Sequence, residues 1–328
     1  MGQMPYKLIT FIVLIFSYSL PMKDEFNSQP LAKSPCGRLD PLPEGNTGIA
    51  ARYSGDVGIA SDTAVVFADD FESYADAQGI TSKWDETYHD ANNRIATEPG
   101  NVFRGTRALE FTIPRTDKEV SDAVVKYISP EQDIVFLRYY ARLDSSFNVV
   151  GSSHNGCEVS SSYWSGEGSG PGIPADGYNK FLASYEAWRG DTATANPGKL
   201  NVYVYHPDQR SIWGDHLFPS GRVLPGRASF DFGPDFVPRP EVIPELGRWY
   251  CYELMVKSNT PGQRNGRIAM WLDGKLVADF PNLRLRETYA LKIDRFSIDL
   301  HIRTNSSAPT KKWIDNVVLA TSYIGPLK

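Results

Sequence analysis

The sequence has little that would build helices, and it lacks the short motifs of several large enzyme classes. No stretch of a dozen residues carries the 3.6-residue spacing of an amphipathic helix. There is no G-x-S-x-G nucleophile elbow, no phosphate-binding glycine loop and no H-E-x-x-H motif. These absences argue against α/β-hydrolase, P-loop and zinc-protease chemistry.

Cysteine and net positive charge are also scarce. The three cysteines, Cys36, Cys157 and Cys251, allow one disulfide in any of three pairings and match no zinc-site spacing. We expect no catalytic metal or cofactor, although a structural calcium stays open. The net charge of −5 argues against a general nucleic-acid binder. An anionic substrate stays possible, because local basic residues can line a cleft on an acidic protein.

The long hydrophobic run needed to span a membrane is missing as well. The apolar run Leu8–Phe16 follows a single lysine, which is the layout of a signal peptide over residues 1–22. It is shorter than the roughly 20 residues of a membrane span, although an uncleaved anchor stays open. We therefore expect a secreted or extracytoplasmic protein with no stable membrane insertion after signal cleavage.

What the sequence does contain is a series of short strand patterns. Residues 23–60 are rich in Pro, Gly, Ser and Asn and predict a linker or surface arm, and residues 61–328 form one domain. Within that domain, alternating and β-branched segments are bounded by turn residues. Strands without interleaved helices predict an all-β fold, a jelly-roll sandwich of two antiparallel sheets. The clearest strands are DIVFLRYYARL, KLNVYVYHP, RWYCYELMVKSN, GRIAMWLDGKLVADF and IDRFSIDLHIRT.

Two segments predict long loops. One is Gly- and Ser-rich and runs from Gly151 to Asn179, and the other is proline-rich and runs from Phe218 to Gly247. Loops of this length inside a compact domain are usually functional or disordered. The first contains His154, and its glycines together with Tyr163 and Trp164 suit a lid or rim over a sugar-binding groove.

Two tyrosines in one strand pattern are the first candidates for chemistry. Tyr203 and Tyr205 stand two residues apart, so both phenols point from the same face of a strand. Half-buried strand aromatics are the ordinary explanation of such a pair. The adjoining His206, Arg210 and Trp213 favour a binding cleft instead.

Histidines supply the other candidates. His154 lies in a polar loop and could either be simply solvated or carry protons near neutral pH. Alternation puts Ser297, Asp299, His301 and Arg303 on one strand face, which is either a solvent face or the floor of a groove.

The segments YVYHPDQ, GRWYCYELMVKSNTPGQRNGRIAMWLDGKLVADFPNLRLR and KKWIDNVVLA together resemble the alginate lyases of polysaccharide lyase family 14 and related secreted proteins of concanavalin A-like jelly-roll fold. The similarity runs from about Asp133 to the C-terminus. It implies cleavage of a uronate-containing polysaccharide by β-elimination. A Tyr-x-Tyr strand contributes to proton transfer in that family, and this role maps onto Tyr203 and Tyr205.

This chain differs from the family's pattern at one important position. The family's essential lysine lies in a Gly-Gly-Lys-Leu-Pro-Gly stretch, where this chain has GSSHNGC, and His154 falls at the lysine position. Because of this difference, the resemblance does not imply that the protein is specific for alginate. A tyrosine acts as a base only if nearby cations lower its pKa from about 10. Arg189, Lys199 and Arg210 are near in sequence and could do so.

Two other functions stay open. A non-catalytic carbohydrate-binding module would use Trp164, Trp188 and Trp213 as stacking platforms. A glycoside hydrolase would need a facing pair of carboxylates, for which Glu158, Glu186 and Asp299 are the candidates.

Overall fold

The computed structural model describes residues 39–151, 153–226, 229–303 and 309–328. The predicted signal peptide, the first part of the predicted arm and Cys36 lie outside these residues. None of the helices in the described ranges combines the length and the apolar character that crossing a membrane requires.

The described residues form seventeen strands and six short 3₁₀ helices. The strands are β1 (Val65–Asp69), β2 (Glu86–Tyr88), β3 (Asn93–Ala96), β4 (Ala108–Ile113), β5 (Val120–Gln132), β6 (Ile134–Leu143), β7 (Ser153–His154), β8 (Cys157–Ser161), β9 (Phe181–Trp188), β10 (Lys199–Tyr205), β11 (Asp215–Leu217), β12 (Val223–Leu224), β13 (Tyr250–Lys257), β14 (Gly266–Leu272), β15 (Lys275–Leu283), β16 (Ile293–Ile302) and β17 (Thr310–Ala320). The 3₁₀ helices are Ile49–Arg52, Ser54–Asp56, Ile59–Ser61, Ala77–Ser82, Asp90–Asn92 and Pro99–Asn101.

The strands form two antiparallel sheets. The eight-stranded sheet has the order β15-β14-β13-β6-β17-β4-β3, with β1 also paired to β17. The nine-stranded sheet has the order β12-β11-β10-β9-β8-β16-β5-β2, with β7 also paired to β16. The prediction of an all-β sandwich of the jelly-roll type is confirmed.

Alternation along each strand decides which side chains fill the space between the sheets. In β16, Phe296, Ile298 and Leu300 are fully buried in the main apolar core. In β10, Val202 and Val204 join the same core. Because each buried aliphatic or aromatic side chain contributes about 1.5–3 kcal/mol, this pattern fixes the orientation of both strands. The residues between them, including Tyr203 and Asp299, must point outward.

The predicted loop from Gly151 to Asn179 is partly wrong. Its first part forms β7 and β8, and only the part after Ser161 is a loop. The Gly- and Ser-rich composition hid these strands, but β8 pairs with β16 on one side and β9 on the other. Cys157 and Val159 of β8 point into the core. Tertiary pairing therefore outweighs the low intrinsic strand preference of this segment. The proline-rich segment 218–247 holds only β12 in its described part.

Residues 39–61 form an arm on the outer face of the eight-stranded sheet. Ile49 and Ile59 are buried there in an apolar cluster with Trp271, and the Trp271 indole N–H donates to the carbonyl of Pro43 at 2.9 Å. The arm therefore covers part of the outer face of the eight-stranded sheet.

Candidate active site

The outer face of the nine-stranded sheet, here called the site face, collects most of the candidate residues. Its polar and aromatic side chains come from six strands: His154 (β7), Glu158 and Ser160 (β8), Ser184 and Glu186 (β9), Tyr203 and Tyr205 (β10), His216 (β11), and Arg295, Ser297, Asp299 and His301 (β16). Strand register places Ser297, Glu158, Ser184, Tyr203 and His216 in one row across the sheet.

His154 is held by a carboxylate and by two rings. Its Nδ1 lies 2.6 Å from Oε2 of Glu186, and its ring centroid lies 5.1 Å from that of Tyr203 and 5.5 Å from that of His301. Burial alone would lower the pKa of His154, but the Glu186 carboxylate more than offsets this and the pKa rises to about 9. About a third of the side chain is exposed. His154 is therefore an accessible cation at neutral pH.

Tyr203 and Tyr205 lie side by side on the site face, with ring centroids 5.5 Å apart in an edge-to-face arrangement. The Tyr203 hydroxyl accepts a hydrogen bond from the Gly214 N–H at 2.8 Å, and the Tyr205 hydroxyl accepts one from Gly172 at 3.2 Å. Burial and the neighbouring Tyr205 raise the pKa of Tyr203. Tyr203 is therefore a neutral phenol that carries its proton at neutral pH.

The other two histidines of the site face are neutral near pH 7. His216 lies with its Nδ1 2.9 Å from the Asn201 side-chain oxygen, and its ring is 4.9 Å from the Tyr203 ring. Nδ1 of His301 lies 2.5 Å from the Ser121 hydroxyl. Burial lowers the pKa of each to about 4, and the charge on His154 contributes to both shifts. Of these three histidines, His154 alone carries charge at neutral pH.

The carboxylates of the site face are balanced by cations. Glu158 pairs with Arg295 at 2.5 Å, and Glu186 pairs with His154. Burial raises the pKa of Asp299 to about 6, and Lys312 opposes the rise. Lys312 extends from β17 of the other sheet into the space between the two sheets. Its ammonium donates to the carbonyls of Asp299 and Gly156 at 2.8 and 2.6 Å. The site face can therefore accept an anionic chain without facing uncompensated negative charge.

Four of the predicted binding residues do not join this group. Arg189 is a structural clamp, because its guanidinium donates to Asn148, Asn196 and the carbonyls of Thr192 and Thr194. Lys199 pairs with Glu241 at 2.7 Å. His206 is buried on the opposite side of β10, 3.0 Å from Asp215. Arg210 is exposed in the turn after β10.

Trp164 belongs to the loop formed by residues 162–179, and Trp213 packs against the same loop at Gly172. More than half of each side chain is exposed, at 58% and 53%. A Cβ on Gly172 would lie 3.4 Å from the Trp213 ring, and one on Gly170 would lie 3.6 Å from Trp164. The two indoles are thus available to stack on sugars at the Tyr205 end of the site face.

Sequence reasoning missed Lys180, which is the cation beside the tyrosine pair. The residue is fully buried, and its ammonium lies 4.1 Å from the Tyr205 ring centroid and 5.1 Å from that of Tyr163. It was overlooked because β9 was not predicted. The signal was present in KFLASYEAW, where alternation puts Lys180, Leu182, Ser184 and Glu186 on one face.

Nowhere in residues 39–151, 153–226, 229–303 and 309–328 do three or more His, Cys, Asp or Glu side chains form a group that could hold a metal ion.

No protein-family model matches the chain, and no curated protein matches it by sequence. Solved structures do match. A mutant of alginate lyase Aly36B in complex with an alginate trisaccharide has a TM-score of 0.57 at 18% identity, covering 80% of this chain and 100% of that one. The marine PL-14 alginate lyase from Aplysia kurodai has a TM-score of 0.54 at 13% identity, covering 78% of this chain and 99% of that one.

The endo-beta-1,4-glucuronan lyase from the fungus Trichoderma reesei has a TM-score of 0.51 at 15% identity. The match covers 79% of this chain and 96% of the glucuronan lyase chain. At sequence identities this low, the structural similarity shows that this chain shares the fold of these proteins. The expected resemblance to alginate lyase structures is confirmed at that level.

Proposed function

We propose that the protein is a secreted polysaccharide lyase that cleaves a uronate-containing polysaccharide by β-elimination. The observation that carries the proposal is the position of His154, a cation whose ring contacts that of Tyr203, which in turn contacts the ring of Tyr205 on the same sheet face. The similar solved structures include lyases of alginate and of glucuronan. Export is supported by the charged-then-apolar N-terminus.

The reaction needs three groups, and the site face offers one for each. The His154 imidazolium binds the uronate carboxylate and stabilises the negative charge that develops when the C5 proton leaves. Tyr205 is the base that takes the C5 proton, and Lys180 is the cation beside its ring. Tyr203 donates its proton to the departing glycosidic oxygen. The electron pair of the C5–H bond forms the C4–C5 double bond of the product.

The test is turnover and binding on one panel of polyuronates, with wild type, Tyr205→Phe and Trp213→Ala. Product is followed by the ultraviolet absorbance of the C4–C5 double bond. Tyr205→Phe should abolish most turnover and leave affinity within about tenfold. A wild-type protein that binds a glycan tightly and releases no unsaturated product from any polyuronate would be a binding module, and its affinity would fall chiefly with Trp213→Ala.

A glycoside hydrolase is a second candidate, because Glu186 and Asp299 lie on either side of Gly156 on the site face. Two strand spacings of about 4.8 Å put their backbones about 10 Å apart, and inverting enzymes separate their carboxyl groups by roughly 6.5–9.5 Å. Reducing ends that appear without unsaturated product, and that vanish in Asp299→Asn, would favour hydrolysis over elimination.

A further inference from the structure

Lys180 is a buried ammonium with no carboxylate partner in the part of the chain that the structure describes. Its Nζ donates to the carbonyl of Gly170, and its other neighbours are the rings of Tyr163 and Tyr205. The nearby carboxylate of Glu158 is already paired with Arg295.

Three buried arginines are each paired with a carboxylate, whereas the ammonium of the buried Lys312 donates to two backbone carbonyls, those of Gly156 and Asp299. Arg138 pairs with Asp56, Arg286 with Asp133 and Arg295 with Glu158. An ammonium taken out of water without a counter-charge is costly, and burial lowers the pKa of Lys180 to about 8. A single backbone carbonyl does not replace a carboxylate. The position is thus prepared for an anion that the chain itself does not provide.

The loop of residues 162–179 covers this position. Its Gly170 carbonyl accepts from Lys180, and its Gly172 N–H donates to the Tyr205 hydroxyl. Both Lys180 and Tyr205 are at most 1% exposed beneath it. Gly168 and Gly172 have positive φ angles of 93° and 72°, so the loop follows a backbone path that favours glycine. A substrate carboxylate and a sugar hydroxyl offer the same kinds of hydrogen bond as the two loop groups.

We propose that Lys180 binds the carboxylate of a second uronate in the substrate chain, at a subsite on the Tyr205 side of the scissile bond. His154, Tyr203, Tyr205 and Lys180 follow one another along the site face. The carboxylate at His154 belongs to the sugar that loses its proton, and the carboxylate at Lys180 belongs to a neighbouring sugar. Loop 162–179 is displaced when this second carboxylate replaces the Gly170 carbonyl. The inference rests on the proposed function and adds a requirement for neighbouring uronates.

The experiment measures binding of an oligouronate and of its methyl ester by calorimetry, in the Tyr203→Phe background to prevent cleavage. Lys180→Met should weaken binding of the free acid about 10- to 100-fold and leave binding of the ester unchanged. Lys180→Gln keeps a donor for Gly170 without the charge, so it should show the same loss, whereas Lys180→Arg should retain the preference for the free acid. Lys257→Met, an exposed lysine of the other sheet, is the matched control.

Equal losses for acid and ester, or no loss in Lys180→Met and Lys180→Gln, would overturn the role of Lys180 while leaving the lyase proposal standing. A parent that binds no oligouronate at all would overturn both. If Lys180→Met fails to fold, the comparison of Lys180→Gln with Lys180→Arg decides the question, because both side chains carry a hydrogen-bond donor and only arginine carries the charge.

Discussion

His154 and Tyr203 are in ring contact although they belong to strands that do not pair with each other. Their centroids lie 5.1 Å apart, and Glu186, on the strand next to Tyr203, fixes the imidazole through a 2.6 Å contact to Nδ1. The arrangement places a fixed positive charge beside a neutral phenol. A cation and a proton donor at one position are two of the three groups that β-elimination from a uronate requires.

Replacing Tyr203 with phenylalanine removes the proposed proton donor and keeps the ring. General acid assistance is worth roughly a hundred- to ten-thousand-fold in rate, so Tyr203→Phe should lose turnover by that factor with Kd changed by less than about tenfold. Initial rates and calorimetric affinities on the best substrate measure both effects. Tyr289→Phe, at a phenol that is 62% exposed, is the control and should match wild type. Full activity in Tyr203→Phe would remove the residue from the mechanism.

Replacing Glu186 with glutamine should remove the positive charge of His154 at neutral pH. Without the carboxylate, burial is left as the main influence and the pKa of His154 should fall from about 9 to below its ordinary value of about 6.5. Nuclear magnetic resonance titration of the imidazole measures the shift directly, and the alkaline limit of lyase activity should move down with it. Glu241→Gln breaks the ion pairs to Lys199 and Arg222 and should leave the His154 titration unchanged. A wild-type His154 that titrates near 6.5 would contradict the ion pair.

The same pair should contribute to stability in a defined pH window. The pKa of His154 is higher in the folded protein than in the unfolded chain, so the folded state binds the proton more tightly. The contribution is therefore fully present below about pH 6.5 and is lost as the pH rises through about 9. Urea unfolding of wild type and His154→Gln across this range should show a difference in free energy that shrinks with rising pH. A difference that grows with pH would contradict the sign.

His216 and His301 should make the protein less stable in acid. Their pKa values fall to about 4 in the folded state, so the unfolded chain binds more protons between about pH 6.5 and pH 4 and stability drops across that range. His216→Asn should flatten this part of the stability curve. An unchanged slope in His216→Asn would show that other groups govern the acid transition.

Cys157 and Cys251 should both behave as unreactive free thiols. They lie in different sheets, both are buried, and burial raises the pKa of each to about 12. Because the thiolate is the reactive form, a thiol reagent should modify them only after denaturation, and a reductant should not change Tm. Mass spectrometry after labelling of native and denatured protein reads this out. Rapid modification of either residue in the native protein would show that its strand opens readily.

Much of the fold could be predicted from local patterns. The alternation in IDRFSIDLHIRT and KLNVYVYHP defined both the strands and their inward faces, because side chains on a strand alternate between core and surface. Strands that carry Ser, Gly or Ala, such as β8 and β9, were missed. The alternation of β9 is readable in KFLASYEAW, whereas the inward residues of β8 are buried by pairing with distant segments on both sides, and such pairing leaves no local pattern.

The sequence by itself determined that Tyr203 and Tyr205 share a face, that Ser297, Asp299 and His301 share another strand's face, and that helices do not build the domain. Only the tertiary structure decided which charges stand beside these residues. Arg189 and Lys199 are close to the tyrosines in the chain but are engaged elsewhere, whereas Lys180 and His154 come from other segments and lie against them. Strand register sets such neighbours, and register follows from which distant strands pair and bury their apolar faces together.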